Sequence, residues 1–166
     1  MGCGLGLISL ALAKRDRGVR ATLMDRQPSL DLARALAQKL SLNEQVTMIP
    51  GDMLRVDFGK NQFDVVWFGY SLMFFGPQDT VRLLRKAYAA LASGGVVVIN
   101  QYITDDARVR RKEALIAALW LWASTAHGDA YTTSECQRFL EHAGFENPEE
   151  SEMAEIEEVL MRATRP

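Results

Sequence analysis

Three glycines at alternate positions, Gly2, Gly4 and Gly6, stand directly before an apolar, helix-forming run in the segment MGCGLGLISLALAKR. In open α/β proteins a turn of this kind links a buried strand to a helix, and its glycines let the backbone close on a ligand at the helix N-terminus. The turn therefore points to a fold in which strands and helices alternate. The residues that follow keep that alternation. Residues 5–15 have helical composition, Gly18 ends the unit, and VRATLM (19–24) is a short β-rich run closing on Asp25. Pro28 suits a first helical turn, and LDLARALAQKL carries apolar residues on a helical period as far as Asn43.

VTMIPGD (46–52) and FDVVWFG (63–69) are apolar runs that end in polar or glycine residues. This is the pattern of parallel strands buried on both faces, with C-terminal ends lining a crevice. Residues 80–91 read as a helix, Ser93-Gly94-Gly95 as a turn and VVVIN (96–100) as a further buried strand. The expected class is α/β, a mostly parallel sheet flanked by helices. The last third differs: a long helix over 105–124, a shorter one over 132–142 stopped by Gly144, then two strands, from Phe145 into an acidic segment and from Glu158 to Thr164. The six glutamates between Glu149 and Glu158 read as a solvated edge or loop.

A chain of 166 residues, 48% hydrophobic, is expected to form one domain with a substantial core. Its net charge of −2 gives no electrostatic reason to expect a nucleic-acid partner, and a small-molecule partner is favoured. Cys3 and Cys136 are too few for a disulfide framework, and no charged, apolar leader marks a signal peptide, so the cytoplasm is the expected compartment. The longest apolar run, 114–123, falls short of the roughly 18 residues of a membrane span, so no membrane partner is expected. No metal site is expected either.

The glycines read G-x-G-x-G. A dinucleotide fingerprint would need a small residue at position 7, where the chain has Leu7, which argues against NAD. Asp25 ends the next strand 19 residues after Gly6, placed to accept hydrogen bonds from both ribose hydroxyls of an adenosine. Gly51-Asp52-Met53 ends the following run, where Asp52 can take an adenine amino group and Met53 can pack on the ring. Arg26, beside the acid, and Gly69, at the end of the next run, complete the expected cofactor residues.

In this order the motifs resemble those of the class I S-adenosylmethionine-dependent methyltransferases. GCGLG is similar to their first motif, Asp25 to the ribose acid, GDM to the adenine contact, FDVVWFGYSLMFF to the fourth strand and LASGGVVVINQ to the fifth. The tail HGDAYTTSECQRFLEHAGF (127–145) is similar to the C-terminal catalytic domain of small-molecule O-methyltransferases of the caffeate and antibiotic-biosynthesis type. The resemblance implies a Rossmann-like, seven-stranded sheet with its last strand antiparallel, S-adenosylmethionine as cofactor, and methyl transfer to a small organic acceptor, expected at oxygen. It also implies an apolar strand, then Asp or Glu and one apolar residue, before the glycines. Met1 occupies that last apolar position, so the first, central strand is expected to have been lost upstream; the helical dimerisation domain usual in the resembled enzymes is not expected within this chain, and a homodimer is expected only of a full-length form.

The resembled enzymes carry a histidine after the fourth strand, where this chain has Met73, a thioether that cannot abstract a proton; the acid that commonly ends their fifth strand is Gln101 here. Acceptors that need no base, or a non-methylating relative, thus stay open, as does a non-catalytic cofactor-binding module. His127, in the loop before the second C-terminal helix, is the candidate for proton transfer or substrate contact, against an ordinary loop role; His142 reads as a surface residue. Trp120 and Trp122 lie two apart and cannot share a helix face, so at most one reaches an acceptor pocket. Met73, Phe74, Trp120, His127 and Tyr131 are the expected acceptor wall, with Phe75 expected in the core. Cys3 sits near a helix N-terminus, where a thiol pKa can fall, although a cysteine in this motif reads first as a small residue.

Overall fold

The computed structural model describes residues 1–153 and 158–166. They fall into two compact units, Met1–Val56 and Asp57–Pro166. The first unit runs α1 (Leu7–Arg15), β1 (Ala21–Asp25), α2 (Gln27–Lys39), a 3-10 turn (Asn43–Gln45) and β2 (Val46–Pro50). β1 and β2 pair in parallel, with Ala21 opposite Val46 and Asp25 opposite Pro50. Leu30, Ala33 and Ala37, at helical spacing on α2, bury one stripe against Leu10 and Ala13 of α1, Leu23 of β1 and Leu42. Gln45 is buried because its amide is used: Nε2 donates to the carbonyls of Ala13 (2.9 Å) and Val19 (3.1 Å), tying the end of α1 to the entry of β1.

The second unit runs β3 (Phe63–Gly69), a 3-10 turn (Leu72–Phe74), α3 (Pro77–Ala90), β4 (Leu91–Gln101), α4 (Lys112–Ser124), α5 (Thr133–His142), β5 (Glu146–Met153) and β6 (Glu158–Thr164). The sheet order is β3-β4-β6-β5. β3 and β4 are parallel, and β6 runs antiparallel to both β4 and β5, so the last strand alone is reversed. The chain is thus the α/β, mostly parallel architecture that the alternation of runs implies. Leu83, Leu84 and Ala87 of α3 are buried, as are Phe68, Val97 and Ile99 of the sheet.

Several boundaries depart from the expectation. Ser93-Gly94-Gly95 does not end an element: it is a bulge inside β4, where the register steps from Phe63 opposite Leu91 to Val65 opposite Val96. Gly95 is required there, since a Cβ would lie 2.9 Å from the Ala92 carbonyl oxygen and 3.2 Å from that of Asp64. The long helix begins at Lys112, not at 105, because Asp105 turns its carboxylate onto the N–H groups of Val109 (3.2 Å) and Arg110 (2.6 Å) and competes with helix formation. Val97 to Asn100 of VVVIN in β4 are buried as expected, but VTMIPGD and FDVVWFG are not buried on both faces. β2 holds only half-buried and exposed positions, and Val65 of β3 is 55% exposed. Within the acidic segment, Glu149 pairs with Arg162 and Glu150 with Arg111, while residues 154–157 lie outside the described residues. Among the described residues no helix is long and apolar enough to cross a membrane.

Candidate cofactor and acceptor residues

In the first unit the glycine turn folds back onto the end of β1. Gly2, Gly4 and Gly6 all take left-handed backbone conformations, with φ of 63°, 53° and 70°. The turn is closed by the Gly6 N–H on the Cys3 carbonyl (2.8 Å) and anchored by the Cys3 N–H on that of Met24 (3.0 Å). Gly6 then becomes the N-cap of α1, and a Cβ there would lie 2.7 Å from Cδ1 of the fully buried Leu23. Close packing of helix on strand therefore needs glycine at this position as much as the turn does.

Asp25 links the motifs. Its Oδ2 accepts the Gly4 N–H and its Oδ1 the Arg26 N–H, both at 2.7 Å, while its carbonyl accepts the Gly51 N–H at 2.9 Å. The parallel pairing that sets Asp25 opposite Pro50 brings the Gly51-Asp52 turn to the same strand-end edge. Asp52 caps its own turn, Oδ1 accepting the Leu54 N–H at 2.9 Å, and Met53 is half-buried beside it. Gly51, with φ 150° and a would-be Cβ 2.1 Å from Val56 Cγ2, admits no side chain. Asp25 thus ties Gly4, Arg26 and the Gly51-Asp52 turn to the ends of β1 and β2, with Gly2 and Gly6 in the first turn and Met53 next to Asp52 in the second. Burial, together with the Asp25 carboxylate, pushes the Cys3 thiol up to about 11, so the helix N-terminus does not make a thiolate of it.

In the second unit, Gly69 ends β3 and the chain turns at Tyr70, a non-glycine residue at φ 51°. Met73 is 5% exposed; its N–H is accepted by Gln101 Oε1 (3.1 Å) and its carbonyl accepts the Asp129 N–H (3.0 Å). Phe74 is exposed and meets Trp120 of α4 edge to face, ring centres 6.0 Å apart. Trp122, two residues on, faces elsewhere and lines an open groove of about 600 Å³ with Leu115, Leu119, His127 and Tyr131. One tryptophan thus serves each surface. His127 is exposed, and a Cβ on Gly76 would come 3.2 Å from its own Cβ. Tyr131 is buried, donates its hydroxyl to the Phe75 carbonyl (2.5 Å), and stacks edge to face on Phe139; burial lifts its phenol to about 12. The five expected acceptor residues therefore divide into a Phe74–Trp120 pair, a groove holding His127 and Tyr131, and Met73 beneath the turn.

Sequence reading missed two features of this region. Gln101 is 1% exposed, and its side chain supports the turn; a polar amide closing an otherwise apolar strand is the available signal. Arg108 bridges Asp129 (3.1 Å) and Glu135 (3.0 Å) at the rim of the groove, a long-range pairing that the linear order of residues does not display.

The methyltransferase domain family matches residues 1–95, which include the glycine turn, Asp25, Gly51-Asp52 and β3. The L-tyrosine C(3)-methyltransferase of Streptomyces lavendulae is 31% identical over 90% of this chain and 41% of its own length. The tetracenomycin polyketide synthesis 8-O-methyl transferase TcmO of Streptomyces glaucescens is 27% identical over 87% of this chain and 42% of its own. A Nostoc punctiforme protein proposed to be an O-methyltransferase superposes with a TM-score of 0.93 at 26% identity, over 98% of this chain and 50% of that one. The chain thus spans between two fifths and one half of the length of these relatives. With the glycine turn, the strand-end acid and the reversed last strand all in the order of that fold, the chain belongs to the methyltransferase domain family, of the class I, S-adenosylmethionine-dependent kind.

Proposed function

We propose that this chain binds S-adenosylmethionine through Gly2, Gly4, Gly6, Asp25, Arg26, Asp52 and Met53 of its first unit and transfers its methyl group to a small organic acceptor, at oxygen. The observation that carries the reading is the bond from the Gly4 N–H to Asp25, which holds the glycine turn and the strand-end carboxylate at one edge with Gly51-Asp52. A carboxylate so held keeps lone pairs for two ribose hydroxyls. Methyl transfer from a sulfonium is an in-line displacement, so alignment of donor and acceptor supplies much of the rate. For the acceptor, Phe74 and Trp120 give the second unit an exposed aromatic pair over the buried Met73, and His127, which lines a groove with Trp122 and Tyr131, is the candidate for proton transfer there.

Transfer to aromatic carbon is the second reading, favoured by the similarity to the tyrosine C(3)-methyltransferase. Two experiments test both. Calorimetric titration with S-adenosylmethionine and S-adenosylhomocysteine is expected to give micromolar binding, and no heat would end the cofactor assignment. Incubation with trideuteromethyl S-adenosylmethionine and either catechol or L-tyrosine then distinguishes O–CD3 from ring C–CD3 products by NMR. His127→Ala separates a base from a bystander: a kcat loss of about 10²- to 10⁴-fold marks general-base catalysis, and an unchanged kcat removes His127 from the reaction.

A further inference from the structure

The turn between β3 and α3 is held by bonds to two other segments, the end of β4 and the loop before α5. The Tyr70 N–H donates to the Asn100 carbonyl (2.8 Å), the Met73 N–H to Gln101 Oε1 (3.1 Å), the Asp129 N–H to the Met73 carbonyl (3.0 Å), and the Tyr131 hydroxyl to the Phe75 carbonyl (2.5 Å). Met73 lies in the single 3-10 turn Leu72–Phe74, whose leading N–H groups have no partner within the turn. Its N–H is buried with the residue, so the Gln101 oxygen is what replaces water there. Gln101 can do this because it is the last residue of β4, fixed in register opposite Val159 of β6, with only 1% of its surface exposed. The next residue after Met73 is Phe74, whose ring stands against Trp120.

We propose that Gln101 is a positioning residue: through the Met73 N–H it fixes the turn that presents Phe74 to Trp120, and so sets where the acceptor stands. The inference rests on the reading of Phe74 and Trp120 as acceptor wall, and its structural half can be tested apart from that reading. Gln101→Met keeps the volume and removes the acceptor oxygen, whereas Gln101→Glu keeps an oxygen in place. In Gln101→Met the Met73 amide is expected to exchange with solvent at least tenfold faster while Val97, deep in β4, is unchanged. Trp120 emission, read in a Trp67→Phe, Trp122→Phe background, is expected to shift. Methylation of catechol or L-tyrosine is expected to lose about 10- to 100-fold in kcat/KM, with S-adenosylmethionine affinity unaltered, since small misplacements of a reacting group cost this much.

Gln101→Glu is expected to restore wild-type Met73 exchange and turnover. Wild-type exchange and emission in Gln101→Met would overturn the proposal, as would faster Met73 exchange in Gln101→Glu if Gln101→Met does not fold. Absence of methylation by the wild type refutes the proposed function alone, because the exchange and emission measurements still decide the role of Gln101.

Discussion

Asp25 accepts two backbone N–H groups and still has acceptor capacity, which makes it the residue on which cofactor affinity should turn. Asp25→Asn substitutes a donor for one oxygen and sets it against an N–H. A hydrogen bond to a charged group contributes about 1.5–3 kcal/mol, so S-adenosylmethionine binding is expected to weaken about 10- to 100-fold by calorimetry. The glycines separate two causes of a glycine requirement. Gly4 has φ 53° with nothing within 4 Å of a would-be Cβ, so Gly4→Ala should cost only the left-handed backbone term, about 1–2 kcal/mol. Gly6 adds a Cβ 2.7 Å from Leu23 Cδ1, and Gly6→Ala is expected to cost about 1–3 kcal/mol more in urea unfolding. Glycine spacing and strand-end acids were legible in the sequence because turn geometry constrains residue type locally. The partner of the Tyr131 hydroxyl, the carbonyl of Phe75, was not, since a side chain's hydrogen-bond acceptor 56 positions away leaves no local signal.

Helix α5 shows what an element owes to its cap. Thr132 accepts the Glu135 N–H (3.2 Å) and Glu135 accepts the Thr132 N–H (2.8 Å), a reciprocal capping box that the residues T-x-x-E spell out. Thr132→Ala is expected to cost about 1 kcal/mol in thermal or urea unfolding. Asp106 adds a contact that the sequence does not spell out. Its carboxylate accepts both the N–H (3.0 Å) and the hydroxyl (2.5 Å) of Ser134, clasping the 105–111 loop onto the start of the helix. The Ser134 bonds hold the Asp106 pKa below its ordinary value, so the carboxylate form is the one favoured by folding. This contribution is present above the unfolded carboxylate pKa of about 3.9 and is lost as pH falls through the lower folded value. Acid unfolding of Asp106→Asn should therefore show a shallower loss of stability below pH 4 than the wild type. The same clasp explains the misplaced start of α4. Composition over 105–124 favours helix, but Asp105 and Asp106 commit their side chains to neighbouring backbone, and tertiary context overrides propensity.

At the scale of the molecule, the alternation of apolar runs and helical stretches was enough to identify an α/β chain with parallel strands, because strand length and helical period are local properties. Which strands share a sheet was not legible. β1 and β2 pair with each other, and β3, β4, β6 and β5 form a second sheet, a partition set by long-range hydrogen bonding. Each unit has its own buried residues, Leu23 and Leu30 in the first, Phe68 and Leu84 in the second. All but one of the residues expected from the sequence to hold the cofactor lie in Met1–Val56, with Gly69 the exception. A ligand stabilises the state that binds it by about 2.7 kcal/mol at 100 times its Kd, and it suppresses the local openings that expose the amides it covers. Saturating S-adenosylmethionine should therefore slow hydrogen exchange most at Gly4, Gly6 and Gly51, whose N–H groups bond to Asp25, to Cys3 and to Asp25 again. The melting temperature should rise with ligand concentration, and Asp25→Ala should abolish both effects. Protection confined to Asp57–Pro166 would instead mean that the glycine turn does not hold the cofactor, however well its backbone is built to do so.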